Sequence, residues 1–195
     1  GESPRLTMAH LETAARRQSR KVTDEQQDLI NPRTRLSDVV LTPAIRAQVE
    51  ELVAAARGRR TVLDRWRIGE RLDYGKGLAA LFCGEPGTGK TLCAHAVAGE
   101  LGRPLLEAAV PALMSKWVGE SERNLAALFR QARTHGAVLF LDECDAILAE
   151  RGADGARHDD RLVSVFLRTL ERHDGLVLMA TNREAALDRA LSRRI

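Results

Sequence analysis

Residues Gly84–Thr91 read GEPGTGKT. They satisfy the spacing GxxxxGK[ST] between a short apolar run, LAALFC at 78–83, and a helical pattern carried by Leu92, Ala96, Val97 and Leu101. That junction of strand and helix is where the pattern has a mechanism. Gly84, Gly87 and Gly89, with Glu85, Pro86 and Thr88 between them, let backbone N–H groups curl around phosphate oxygens, and the helix that opens at Lys90, Thr91 and Leu92 turns its positive end toward them. Lys90 then reaches the β- and γ-phosphates, and the Thr91 hydroxyl meets Mg²⁺. The competing reading is a glycine-rich turn that merely precedes a helix.

Outward from this loop the chain alternates. PLLEAAV (104–110), AVLFLD (137–142) and LVLMAT (176–181) are further short apolar runs, as expected of strands covered on both faces. Between them lie helical patterns: Leu125, Leu128, Phe129 and Ala132, then Leu162, Phe166, Leu167 and Leu170, with Gly102, Gly136 and Gly175 as stops. Such alternation predicts an α/β fold, a parallel sheet between two helical layers. Upstream, Thr42 and Pro43 open a helix whose face is Ile45, Val49, Leu52, Val53 and Ala56 and which Gly58 ends. Residues 1–35 are charged and weakly periodic, an arm or linker with room for one short helix, and 36–195 form the main domain.

A nucleotide bound with magnesium needs a second anchor. VLFLDECD supplies it: four apolar strand residues deliver Asp142 and Glu143 to the carboxyl end of their strand. Asp142 would hold the metal through its water shell, and Glu143 would orient and deprotonate an attacking water. Asp145 is either a third carboxylate of the site or the acidic first turn of the next helix. At the end of LVLMAT, Asn182 either holds that water against the γ-phosphate or turns the chain.

Composition narrows the alternatives. The chain of 195 residues carries 30 basic and 27 acidic residues, a formal charge of +3, mixed along its length. This suits a solvated surface, and the most basic block, ARRQSRK at 15–21, has no aromatic residues for stacking on bases. No nucleic acid is expected as a partner. Cys83, Cys93 and Cys144 show no CxxC spacing and predict small buried thiols in a reducing compartment. The five histidines form no HExxH pair, no run approaches membrane-spanning length, and the N-terminus is no signal peptide, so a cytoplasmic location is expected with no membrane partner.

With these stations in order, residues 36–195 resemble an AAA+ ATPase, more narrowly the AAA clade proper. RLSDVVL (35–41) is similar to the clade's segment against adenine, GEPGTGKT to its Walker A loop, LFLDECD to its Walker B strand, ATN (180–182) to its sensor 1 and ALDRALSRRI (186–195) to its arginine-finger region. SKWVGESERN (115–124) resembles its first pore loop, with Trp in place of the commoner Tyr. The resemblance implies a P-loop NTPase sheet of order 5-1-4-3-2 (the AAA+ large subdomain), ATP and Mg²⁺ as ligands, and a homohexamer that pulls protein substrates through its ring. Lys116, Trp117, Val118 and Gly119 would line the channel, Trp117 gripping, Val118 supporting it and Gly119 acting as hinge; the alternative is Trp117 packed on its own domain. Arg194, or Arg193 beside it, would act on the neighbouring subunit's nucleotide. Arg161 matches an interface position in relatives and equally a solvated helix start.

In that family a final strand and a helical lid follow the arginine-finger segment, so the chain is expected to be truncated before both and to hydrolyse ATP weakly or not at all alone. RLSDVVLTPAIRAQVEELV (35–53) and RIGERLDYGKGLAALF (67–82) are most similar to bacterial ATP-binding proteins of the clade, some of which accompany contractile injection particles. Two other functions compete with an ATP-driven protein remodeller. One is a nucleic-acid motor or loader, which should present Lys or Arg where Trp117 stands. The other is a nucleotide-gated assembly scaffold.

Overall fold

A computed structural model of the chain describes residues 28–65, 77–113, 120–145 and 157–182, with the backbone alone at 60–65 and 157–162. The arm up to residue 27, Trp66, the loop residues Lys116, Trp117, Val118 and Gly119, and the arginines Arg193 and Arg194 lie outside the described residues, as does the Arg161 side chain.

The strands are β1 (Leu29–Ile30), β2 (Leu78–Cys83), β3 (Leu105–Ala109), β4 (Val138–Asp142) and β5 (Leu176–Thr181). The helices are α1 (Pro43–Arg65), α2 (Lys90–Leu101), α3 (Val110–Leu113), α4 (Glu120–His135) and α5 (Arg157–Arg172), with a 3-10 turn at Leu36–Asp38. They build a five-stranded sheet in the order β1-β3-β4-β5-β2. β2, β5, β4 and β3 run parallel, in the order the resemblance implies for them. β1 pairs antiparallel with β3, Leu29 opposite Leu106 and Ile30 opposite Leu105. The arm therefore reaches the sheet before residue 36. A strand of two residues has no periodicity to announce it; the open edge of β3 supplies the partner.

Side chains that alternate along the strands divide the core in two. Leu106, Leu139, Leu141, Val177 and Met179 face α4 and α5, where Leu125, Phe129, Phe166 and Leu170 meet them. Leu105, Val138, Phe140, Leu178 and Ala180 face the other layer, built from α1, α2 and the 3-10 turn. Strand β5 is buried throughout, whereas β2 at the sheet edge is half-buried and its last residue, Cys83, is exposed. The expectation of three buried thiols thus fails at Cys83, because the chain leaves the covered layers there to enter the glycine-rich loop.

Helix α1 starts as its sequence dictates, with the Ile45 N–H donating to Thr42 Oγ1 at 3.4 Å. It does not stop at Gly58 but runs on to Arg65. A glycine in a helix interior costs only about 1 kcal/mol, which neighbouring turns outweigh. Its buried stripe is Val49, Val53 and Ala56, while Ile45 on the first turn is 46% exposed. Helix α2 buries Cys93, Ala94, Ala96, Val97 and Ala98, and their small size brings its backbone close to its neighbours. At Gly99 a Cβ would lie 2.0 Å from the Thr34 carbonyl oxygen, so only glycine lets residues 32–35 cross the helix here. Among the described residues no helix is long and apolar enough to cross a membrane.

His173, just after α5, is one of two buried polar residues among those described, the other being Thr181. Its ring stands edge-on to Phe129, centroids 5.2 Å apart, and its Nε2 has no hydrogen-bond partner. Burial holds its pKa below the ordinary imidazole value, Asp174 working against that shift and Arg133 with it. The unfolded chain consequently takes up this proton first on acidification. Stability conferred by neutral His173 is complete above about pH 6.5 and is lost as the pH falls toward the lower folded value. Denaturant melts at pH 7.5 and 5.5 should show a smaller loss in His173→Gln than in the parent; an equal loss would place the titration elsewhere.

Candidate functional site

The loop 84–91 lies where β2 hands over to α2, and its backbone explains its composition. Gly87 and Gly89 have φ of 80° and 89°, the left-handed region, although a Cβ at either would meet nothing within 4 Å. Conformation, not crowding, requires glycine there. Thr88 closes the loop on itself, its N–H and hydroxyl both donating to the Glu85 carbonyl, at 3.3 and 2.8 Å. Gly89 precedes α2, whose first turn leaves backbone N–H groups directed at the loop. Lys90 donates from Nζ to the carbonyls of Gly84 (2.6 Å) and Glu85 (2.9 Å) and to Asn182 Oδ1 (2.9 Å). One ammonium thus ties the loop to the end of β5. Leu92, in the first turn of α2, is 47% exposed and lies off the core stripe expected of it.

Asp142 ends β4 beside this loop. Its Oδ2 accepts from the Thr91 hydroxyl at 3.3 Å, and its Oδ1 accepts from the Glu143 N–H at 2.8 Å. Glu143 is exposed and has a φ of 54°, the one non-glycine residue with positive φ among those described. A left-handed glutamate costs on the order of 1–2 kcal/mol, and such strain collects where a side chain must be aimed. Next to it Cys144 is fully buried, its thiol donating to the Leu141 carbonyl at 3.2 Å. Burial pushes that thiol up to about 12, against a backbone hydrogen bond at Ala180 and with the Asp142 and Asp145 carboxylates adding to the rise. It is an inert wedge beneath the turn, not a nucleophile.

Asp145 bonds to the end of β5. Its carboxylate accepts from the Thr181 hydroxyl and from the Asn182 N–H, the latter at 3.3 Å to Oδ1 and 3.4 Å to Oδ2. This contact was not legible in the sequence, which offered a third site carboxylate or a helix first turn. Thr181, buried at the end of β5, likewise carried no signal beyond its place beside Asn182.

The residues brought together are therefore Lys90 with Asn182 and Thr91 with Asp142, Glu143 following Asp142 in the chain, on three neighbouring strand ends. The Thr91 and Asp142 oxygens are hard donors that suit a divalent cation such as Mg²⁺. Among the described residues no group of three or more His, Cys, Asp and Glu could hold a metal. A cation held by Thr91 directly and by Asp142 through water would keep places for phosphate, as Mg²⁺ prefers.

Known proteins that the chain resembles are ATPases by family. Residues 80–195 match the profile of the ATPase family associated with various cellular activities, AAA. The chain is 44% identical over 119 residues to the cell division cycle protein 48 homolog of Archaeoglobus fulgidus, 58% of this chain and 16% of that protein. It is 41% identical over 130 residues to the 26S proteasome regulatory subunit 7 homolog of Schizosaccharomyces pombe, 63% of this chain and 29% of that protein. These matches span less than a third of either relative's length. Among solved structures, the FIGL-1 AAA domain in complex with ADP superposes with a TM-score of 0.64 and 28% identity, covering 100% of this chain and 61% of that one.

Proposed function

Because the chain belongs to the AAA family of ATPases, we propose that it is the motor domain of an ATP-driven protein remodeller, working as a homohexamer on polypeptide substrates. The observation that carries the proposal is the meeting of Lys90, Thr91, Asp142 and Asn182 at the carboxyl ends of β2, β4 and β5. Crevices beyond strand ends are where open α/β sheets take ligands. ADP in the FIGL-1 domain supports the nucleotide part of this reading, and the likeness to a proteasome regulatory subunit homolog supports a protein substrate.

In this mechanism the ATP phosphates lie along the loop 84–91, on its backbone N–H groups, and Lys90 exchanges loop carbonyls for β- and γ-phosphate oxygens. Thr91 and Asp142 would hold Mg²⁺, which neutralises phosphate charge when bound. Glu143, aimed by its left-handed backbone, accepts a proton from water as the water oxygen bonds to the γ-phosphorus and the bond to the ADP oxygen breaks. Asn182 receives Lys90 at Oδ1, which leaves its amide NH₂ to donate toward the γ-phosphate or the water. Arg194, or Arg193, would stabilise transition-state charge on a neighbouring subunit. The loop Lys116–Gly119 would grip substrate, Trp117 wedging its rings between side chains of an extended chain. A cytoplasmic location, where ATP is supplied, accords with this reading. Association with contractile injection particles would be a specialisation of the same motor.

Trp117→Ala in the full-length protein tests the division of labour. ATP turnover should stay within about twofold of the parent, while stimulation by unfolded protein and remodelling of a tagged substrate are lost. Stimulation by DNA and not by unfolded protein would favour a nucleic-acid motor. ATP binding without turnover would favour a scaffold.

A further inference from the structure

We propose that Asp145 is the positioning residue for Asn182 and couples the turn bearing Glu143 to the phosphate-binding loop; this deepens, and rests on, the ATPase reading above. The register of β4 with β5 ends at Leu141 opposite Met179, so the last residues of β5 lose their partner strand on that side. Two contacts from the turn after β4 replace it. The Cys144 N–H donates to the Ala180 carbonyl at 2.9 Å, and the Asp145 carboxylate receives the Thr181 hydroxyl and the Asn182 N–H.

From there the connection continues to the neighbouring strand. The Gly84 N–H, first in the loop, donates to the Thr181 carbonyl at 3.3 Å, and Lys90 Nζ donates to Asn182 Oδ1. Asp145 thus stands at one end of a path that passes through Thr181 and Asn182 to Gly84 and Lys90. Thr181 is 1% exposed and Asp145 is half-buried, so their contact is partly shielded from water. A carboxylate suits this post because it only accepts, and two donors converge on it. Asparagine keeps one acceptor oxygen on the same short stem, and alanine keeps none.

The test uses the full-length protein, with ATP affinity and turnover measured separately. Asp145→Ala should lower kcat at least about tenfold, as a displacement near 1 Å of a group at the reacting centre does, with ATP affinity changed less than about threefold. Asp145→Asn should recover part of that loss. The double variant Asp145→Ala, Asn182→Ala should be no slower than the slower single variant, because each removes the same positioned amide. Thr181→Val, which keeps shape and deletes one donor, gives a milder loss and serves if Asp145→Ala does not fold.

Wild-type kcat in Asp145→Ala or Asn182→Ala, multiplying effects in the double variant, or equal losses of affinity, turnover and thermal stability would each overturn the proposal. Failure of the underlying site reading looks different: Lys90→Met would then bind ATP as the parent does.

Discussion

Lys90→Met lowers ATP affinity by at least about thirtyfold, the largest effect on affinity expected of any substitution in this chain. The ammonium donates to two loop carbonyls and to Asn182, so it both shapes the loop and offers its charge where the proposed site would take phosphates. Methionine keeps the stem and deletes every donor. Losing one partner of a desolvated charge pair costs on the order of 2–5 kcal/mol, a factor of about 30 to several thousand in affinity. Titration of a fluorescent ATP analogue reads this directly. Affinity within threefold of the parent would remove Lys90 from the site.

Glu143→Gln separates binding from chemistry. The substitution keeps the size of the side chain and its exposed place after Asp142 but cannot accept the proton of the attacking water. General-base catalysis contributes about a hundredfold to ten-thousandfold, and turnover should fall by that factor with ATP affinity unchanged. In the full-length protein the variant should hold ATP unhydrolysed through a long single-turnover assay. Retained turnover would assign the base to another group; lost affinity would mean that Glu143 supports the loop and not the reaction.

The parts legible in the sequence are those governed by short-range rules. The bounds of β2 and β5 coincide with the runs LAALFC and LVLMAT, because strands buried between helical layers are continuous in apolar residues. The loop 84–91 was legible because its glycines answer to backbone conformation and its Lys90 and Thr91 to chemistry. What failed depends on tertiary partners. Gly58 does not end α1, Ile45 and Leu92 lie off their stripes, and β1 exists because β3 offers an edge. At the site, Asp142 and Glu143 could be placed by strand length, whereas the direction of Asp145 depends on Thr181, 36 residues away in sequence. No local pattern encodes a contact of that kind.

A crystal structure of the protein with Mg²⁺ and a non-hydrolysable ATP analogue tests the central claim most directly. The expected result is a triphosphate along Gly84–Thr91, with Lys90 Nζ within hydrogen-bond distance of β- and γ-phosphate oxygens. The cation should lie between Thr91 Oγ1 and the Asp142 carboxylate. A nucleotide bound elsewhere, or one whose cation lies away from both Thr91 and Asp142, would contradict it.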